Sequence, residues 1–146
     1  MTELTMIVPS RERPTAIREL AEAFDETCTS DTKLCVIVDA DDLYLEDYLL
    51  LQLTVSFSLR IAPEGLRIGG ILNMFGPEIA AKTYAIGFMG DDHRPRTPGW
   101  DTAYLDELRR LGTGMVYGDD LLQGENIPTQ IAMTSDIVLA TYRFVP

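Results

Sequence analysis

Short apolar runs punctuate the chain, and three of them stop at a cluster of polar residues. Thr5-Met6-Ile7-Val8 ends at Pro9-Ser10-Arg11-Glu12-Arg13-Pro14. Leu34-Cys35-Val36-Ile37-Val38 ends at Asp39-Ala40-Asp41-Asp42, and Ala85-Ile86-Gly87-Phe88-Met89 ends at Gly90-Asp91-Asp92. Unbroken apolar runs of this length, bounded by turn residues, predict strands covered on both faces, as in a parallel sheet. Met115-Val116-Tyr117, followed by Gly118-Asp119-Asp120, is a fourth candidate.

Between the first two runs, Ile17, Leu20, Ala21 and Phe24 recur at helical spacing from Thr15 to Phe24. Pro14 suits a first helical turn, where its missing N–H costs nothing. Strand, helix and strand at this spacing form a βαβ unit. Leu43 to Leu53 reads as a short helix, and the alternation from Val55 to Ile61 as a strand. Gly69-Gly70 opens a helix over Ile71 to Phe75, interrupted or restarted at Gly76-Pro77, with Glu78 to Tyr84 helical in composition. Trp100, Tyr104, Leu105, Leu108 and Leu111 share a helix face that Gly112 and Gly114 terminate. Two further apolar segments, Ile131–Met133 and Ile137–Leu139, close the chain. No repeat, linker or low-complexity segment divides it, so the expectation is one domain over residues 1–146.

If the strands are parallel, their polar ends gather along one sheet edge. In open α/β sheets that carboxyl edge is where ligands bind. Two ionised carboxylates side by side, Asp91 and Asp92, repel each other, and a hard divalent cation relieves the repulsion. The plain alternative is an Asp-rich turn.

Charge narrows the partners. The chain carries 12 basic and 23 acidic residues, a net charge of −11. That disfavours nucleic acid and an anionic membrane surface. A phosphorylated small ligand remains compatible if a cation bridges the like charges. Hydrophobic residues make up 46% of the chain, which is globular composition. Cys28 and Cys35 lack C-x-x-C spacing, so reduced thiols in a cytoplasmic protein are expected. No leader-like n- and h-region opens the sequence, and no apolar stretch reaches spanning length.

These residues carry a family resemblance. The Pro9-Ser10-Arg11-Glu12-Arg13-Pro14 segment resembles the first-strand loop of GT-A glycosyltransferases of the large inverting family. Asp39 resembles the Asp that ends their second strand and contacts the nucleotide base. Gly70-Ile71-Leu72-Asn73 is similar to their Gly/Ala-x-x-Asn helix start, and Gly90-Asp91-Asp92 with Pro98-Gly99-Trp100 to their D-x-D motif followed by P-x-P-G-W. The likeness runs from about Met6 to Leu111 and more faintly through Ile127-Pro128-Thr129.

The resemblance implies a three-layer α/β/α sandwich of the nucleotide-diphospho-sugar transferase (GT-A) type. The activity it implies is sugar transfer from a nucleotide-diphosphate sugar donor to an acceptor that the sequence does not identify. It assigns Pro9, Ser10, Arg11, Arg13, Asp39, Asn73 and Asp91 to nucleotide binding. Asp92 becomes the principal ligand of Mg²⁺ or Mn²⁺, with Asp91 beside it near the ribose. Three departures stand out. Gly90 occupies the first D-x-D position, and Ala40-Asp41-Asp42 replaces the usual Gly-Ser. The family's catalytic carboxylate and metal-binding His lie further along than Pro146, so relative to the family the chain is C-terminally incomplete. Asp119 and Asp120 are then the late carboxylates left as candidate bases. Apolar surface around Ile131–Leu139 is expected to be exposed and to favour a homo-oligomer. Two other readings stay open: a nucleotide- or sugar-binding remnant without catalysis, and a metal-dependent enzyme acting on phosphate esters. His93 reads as a solvated loop residue, and Trp100 as core rather than an acceptor platform.

Overall fold

A computed structural model describes residues 1–146. Six strands form one sheet in the order β3-β2-β1-β4-β6-β5. The strands are β1 (Thr2–Ser10), β2 (Thr32–Asp39), β3 (Ser58–Ala62), β4 (Thr83–Phe88), β5 (Met115–Val116) and β6 (Ile131–Thr134). The helices are α1 (Pro14–Thr27), α2 (Leu45–Leu51), α3 (Ile68–Ala80), α4 (Trp100–Leu111) and α5 (Ser135–Thr141). β1 runs parallel to both β2 and β4, and β2 parallel to β3. β6 is antiparallel to β4 and to β5. The expected neighbourhood of the first, second and Ala85–Met89 strands is therefore the one observed.

Alternation along the central strands divides the core. Leu4, Met6 and Val8 of β1, with Leu34, Val36 and Val38 of β2, pack against α1, α2 and α4 through Ile17, Leu20, Phe24, Tyr48, Leu105 and Leu108. Ile7, Cys35, Ile37 and Ile86 face the other way, onto Ile71, Leu72, Phe75 and Ile79 of α3 and Val138 of α5. The architecture is the three-layer α/β/α sandwich that the sequence predicted. Gly87 lets β4 approach its neighbours closely. A Cβ there would lie 2.3 Å from Met6 Sδ and 2.6 Å from the Ile131 carbonyl oxygen.

Four expectations are corrected. Helix α3 runs unbroken through Gly76-Pro77, with Pro77 inside it. Residues Thr83 and Tyr84 open β4 rather than close a helix. The third strand starts at Ser58, so Val55 and Phe57 pack on the core from the preceding coil. The tail does not leave the sheet face bare. Ala132, Met133, Val138 and Phe144 are buried, and the backbone N–H groups of Phe144 and Val145 donate to Asn73 Oδ1 at 2.8 and 2.9 Å. Within the Ile131–Leu139 stretch, Leu139 is the large apolar side chain left exposed.

Candidate functional site

Because β2, β1 and β4 are adjacent and parallel, their carboxyl ends deliver Asp39, Ser10 and, just past Met89, Asp91 to one edge. All three side chains are buried. Both Asp91 oxygens are engaged: Ser10 Oγ donates to Oδ2 at 2.9 Å and Arg13 Nη1 to Oδ1 at 2.9 Å. Those of Asp39 are not both engaged. Arg11 Nη1 reaches its Oδ2 at 2.8 Å, but Oδ1 is buried without any hydrogen-bond partner. A buried carboxylate oxygen left unpaired is costly, and such groups persist where a ligand completes them.

The two arginines are the counter-charges of this edge. Arg11 is shared between Asp41 and Asp39, at 3.0 and 2.8 Å through Nη1. Those hydrogen bonds, Asp41 first and Asp39 second, hold its guanidinium more firmly protonated than usual, and Arg11 in turn keeps the Asp41 carboxyl below its ordinary range. Both arginine side chains stay about half exposed, and each guanidinium keeps N–H donors that these carboxylates do not use.

The loop between them is built by residues that sequence reasoning passed over. Asp42, buried, accepts the Glu12 N–H through Oδ2 at 2.7 Å and the Tyr44 N–H through Oδ1 at 2.8 Å. It thus fastens the β1 loop to the β2 loop, where Glu12 takes a left-handed φ of 54°. Tyr48, fully buried on α2, brings its hydroxyl to 2.8 Å from Ser10 Oγ and accepts the Arg13 N–H at 2.9 Å. A lone Tyr in an apolar helical pattern carries no signal of this role. The clustered aspartates of Asp39–Asp42 were the visible hint for Asp42.

Asp92 differs from Asp91. Its side chain is 69% exposed, and Oδ1 lies 3.4 Å from His93 Nδ1, which accepts the Gly90 N–H at 3.1 Å. Both side chains fold back over Gly90. A Cβ at position 90 would sit 2.6 Å from Asp92 Oδ1 and 2.9 Å from His93 Nδ1, so the glycine makes room for this turn. Chemically, Asp92 is an open hard-oxygen donor and fits a divalent cation that also takes ligand oxygens. Asp91 would join it through the lone pairs that Ser10 and Arg13 leave free. No cluster of three or more His, Cys, Asp or Glu side chains surrounds the position.

The remaining sequence candidates make other contacts. Pro9 lies within β1, paired with Ile37. Asn73, in the second turn of α3, has its Oδ1 engaged by the tail. Asp119 and Asp120 follow β5, at the far edge of the sheet. Asp120 Oδ1 accepts the N–H groups of Gln123 and Leu122, and Oδ2 the Thr129 hydroxyl. These bonds hold its carboxyl down at about 2. That is the reverse of what a general base near neutral pH requires. Asp119 Oδ1 accepts the Leu121 N–H at 2.7 Å.

Trp100 belongs to the opposite edge. After Asp92 the chain passes along α1, with Arg94 paired to Glu19 and the Gly99 N–H on the Thr27 carbonyl at 2.7 Å. Trp100 meets Phe24 and Tyr104 edge-on, each at 5.4 Å between centroids, and its Nε1 donates to Thr27. Next to it Asp101, fully buried, accepts the N–H of Thr29 and Ser30 at 3.0 Å each and the Thr32 hydroxyl at 2.6 Å. The Pro-Gly-Trp stretch is an anchor for the α1–β2 turn.

No protein-family model and no curated protein matches the chain. Solved structures do match. The chain is similar to S. aureus TarS 1-349 in complex with UDP, with a TM-score of 0.65 and 13% identity over 95% of this chain and 48% of that one. Mannosyltransferase PcManGT from Pyrobaculum calidifontis, in complex with GDP-Man and Mn²⁺, matches with a TM-score of 0.66 and 14% identity over 97% and 47%. The 4-diphosphocytidyl-2C-methyl-D-erythritolsynthase from Anaerococcus prevotii DSM 20548 matches with a TM-score of 0.66 and 9% identity over 96% and 74%. The fold is that of the nucleotide-diphospho-sugar transferases, GT-A type. The chain spans about half the length of the TarS and PcManGT structures it matches.

Proposed function

We propose that this chain is a glycosyltransferase domain that binds a nucleotide-diphosphate sugar donor at the carboxyl edge of β2, β1 and β4, with a divalent cation at Gly90-Asp91-Asp92. The observation that carries the reading is Asp39 Oδ1, a buried acceptor without a partner, on the same edge as two half-exposed arginines and Asp91. Asp39 Oδ1 suits an N–H of the base. Arg11 and Arg13 suit the diphosphate, through the donors their carboxylate partners leave free. Asp91, held by Ser10, seats the Arg13 guanidinium beside the diphosphate. Asp92 would hold Mg²⁺ or Mn²⁺, which when bound offsets the charge that builds on the leaving diphosphate. Donor binding is the part of the reaction these residues supply most fully. Asp120, engaged by the Gln123 and Leu122 N–H groups and the Thr129 hydroxyl, is a poor base. The free, buried thiol of Cys35 and the half-buried one of Cys28 fit a cytoplasmic setting.

Titration calorimetry with UDP and GDP tests this. Affinity should rise with Mn²⁺ or Mg²⁺, and Asp92→Ala should bind as weakly with metal as without it. Absence of binding by either nucleotide in the presence of metal would refute the reading. Equal affinity in excess chelator would refute the metal's part in it. The match to the A. prevotii synthase supports a second reading, chemistry at a phosphate ester on the same fold. Release of inorganic pyrophosphate from a nucleoside triphosphate, rather than of nucleoside diphosphate from a donor sugar, would favour it.

A further inference from the structure

The geometry points to Tyr48 as the positioning residue of the phosphate-facing half of this site, acting through Ser10 and Arg13. The inference rests on the donor-binding reading above. Four groups close a ring: Tyr48 Oη to Ser10 Oγ at 2.8 Å, Ser10 Oγ to Asp91 Oδ2 at 2.9 Å, Arg13 Nη1 to Asp91 Oδ1 at 2.9 Å, and the Arg13 N–H to Tyr48 Oη at 2.9 Å. The proton directions follow from chemistry. An ionised Asp91 only accepts, so the Ser10 hydroxyl must donate to it. The Ser10 oxygen then needs a donor of its own, and Tyr48 supplies its single proton. Burial raises the Tyr48 phenol above its ordinary value, which keeps that proton in place. The Tyr48 oxygen in turn accepts the main-chain N–H of Arg13.

One phenol therefore fixes two things. It orients the hydroxyl that seats Asp91, and it fixes the backbone from which the Arg13 guanidinium projects. Tyr48 is the one buried side chain of α2, so the helix is tied to the site mainly through it. The other charged pair of the edge, Arg11 with Asp39, stands outside the ring. A ligand's base and its diphosphate should then depend on Tyr48 unequally.

The test uses Tyr48→Phe, which keeps the ring and removes the hydroxyl, with UDP and uridine as paired probes (GDP and guanosine if the wild type prefers them). Affinity for the diphosphate should fall roughly 5- to 30-fold, as the two hydrogen bonds that hold Ser10 and the Arg13 backbone are lost, while nucleoside affinity changes less than twofold. In an Arg13→Ala background the same substitution should leave the diphosphate-to-nucleoside ratio unchanged, because its effect has already been removed. Equal weakening of both probes, or an undiminished effect in the Arg13→Ala background, would show that Tyr48 merely stabilises the fold and would overturn the inference. Circular dichroism checks folding. Should Tyr48→Phe fail to fold, Ser10→Ala opens the same ring from its other side and must give the same split. Wild-type protein that binds neither probe refutes the donor reading itself, a result distinct from binding that Tyr48→Phe leaves intact.

Discussion

Asp39→Asn should separate binding from stability. The amide preserves shape but removes the charge, and either orientation replaces one carboxylate oxygen with a donor. In the free protein, Asp39 has one partner, Arg11, and one buried oxygen with none. Arg11 is half exposed and keeps Asp41 when Asp39 is neutralised. A pair of this kind contributes about 0–1 kcal/mol, and removing the charge from an unsatisfied buried oxygen offsets part of that. Net stability should therefore move by no more than about 1 kcal/mol, at most roughly 0.3–1 M in the urea midpoint. Binding is different. A hydrogen bond from a base N–H to a charged acceptor is worth about 1.5–3 kcal/mol, which corresponds to roughly 10- to 150-fold in Kd. Calorimetry with a nucleoside diphosphate, alongside urea unfolding followed by circular dichroism, reads both quantities. Affinity unchanged within twofold would refute the assignment of the unpaired oxygen to the base. A stability loss above about 3 kcal/mol would show instead that Asp39 is a structural carboxylate.

Asp101→Ala should do the opposite. It strips three donors of their acceptor and should cost about 3–5 kcal/mol, read by urea unfolding, while nucleotide affinity of the folded fraction stays put. The same residue predicts a pH dependence. Burial pushes the Asp101 carboxyl up, but the Thr32 hydroxyl and the Thr29 and Ser30 N–H groups outweigh it, so the group lies below its ordinary value. A depressed carboxyl contributes stability that is fully present above its unfolded value, about 3.9, and is lost as pH falls through the folded value. The wild type's advantage over Asp101→Asn should accordingly be constant near neutrality and shrink only below about pH 4. A constant gap down to pH 2 would refute that account. Gly87→Ala should destabilise by about 1–3 kcal/mol or more, since its Cβ meets a backbone carbonyl that cannot rotate away; a neutral result in thermal unfolding would show that β6 can shift to accommodate it.

The central sheet was legible because its strands are buried on both faces and so read as unbroken apolar runs. Their polar ends then marked the edge where Ser10, Asp39 and Asp91 meet. Helix α3 was misread because Gly76-Pro77 looks like a break. Pro removes the hydrogen bond to the residue four earlier and crowds its carbonyl, and the helix tolerates that cost when its apolar face is buried, as Phe75 and Ile79 are. Tyr48 and Asp101 were illegible for a common reason. Each is one polar group inside an amphipathic pattern, and its role depends on partners roughly 30 to 70 residues away in sequence. The burial of the tail was equally hidden, because it depends on β6 pairing with β4, on Val138 and Phe144 packing in the core with α3, and on Asn73 receiving two backbone donors.

The sheet order has a consequence for how the chain acquires its shape during synthesis. Strands β1 to β4 complete a parallel four-stranded unit from the first 88 residues, each strand laid beside one already made. β5 follows them off the ribosome but pairs with β6 alone, and β6 is the strand that must slot between it and β4. Until Ile131–Thr134 emerges, β5 has no ladder to join, and the outer side of β4 is an open edge of the kind that pairs with other chains. The nascent chain thus passes through an interval in which its aggregation hazard is concentrated on Ala85–Phe88, and closing that interval depends on four residues that arrive more than forty positions later.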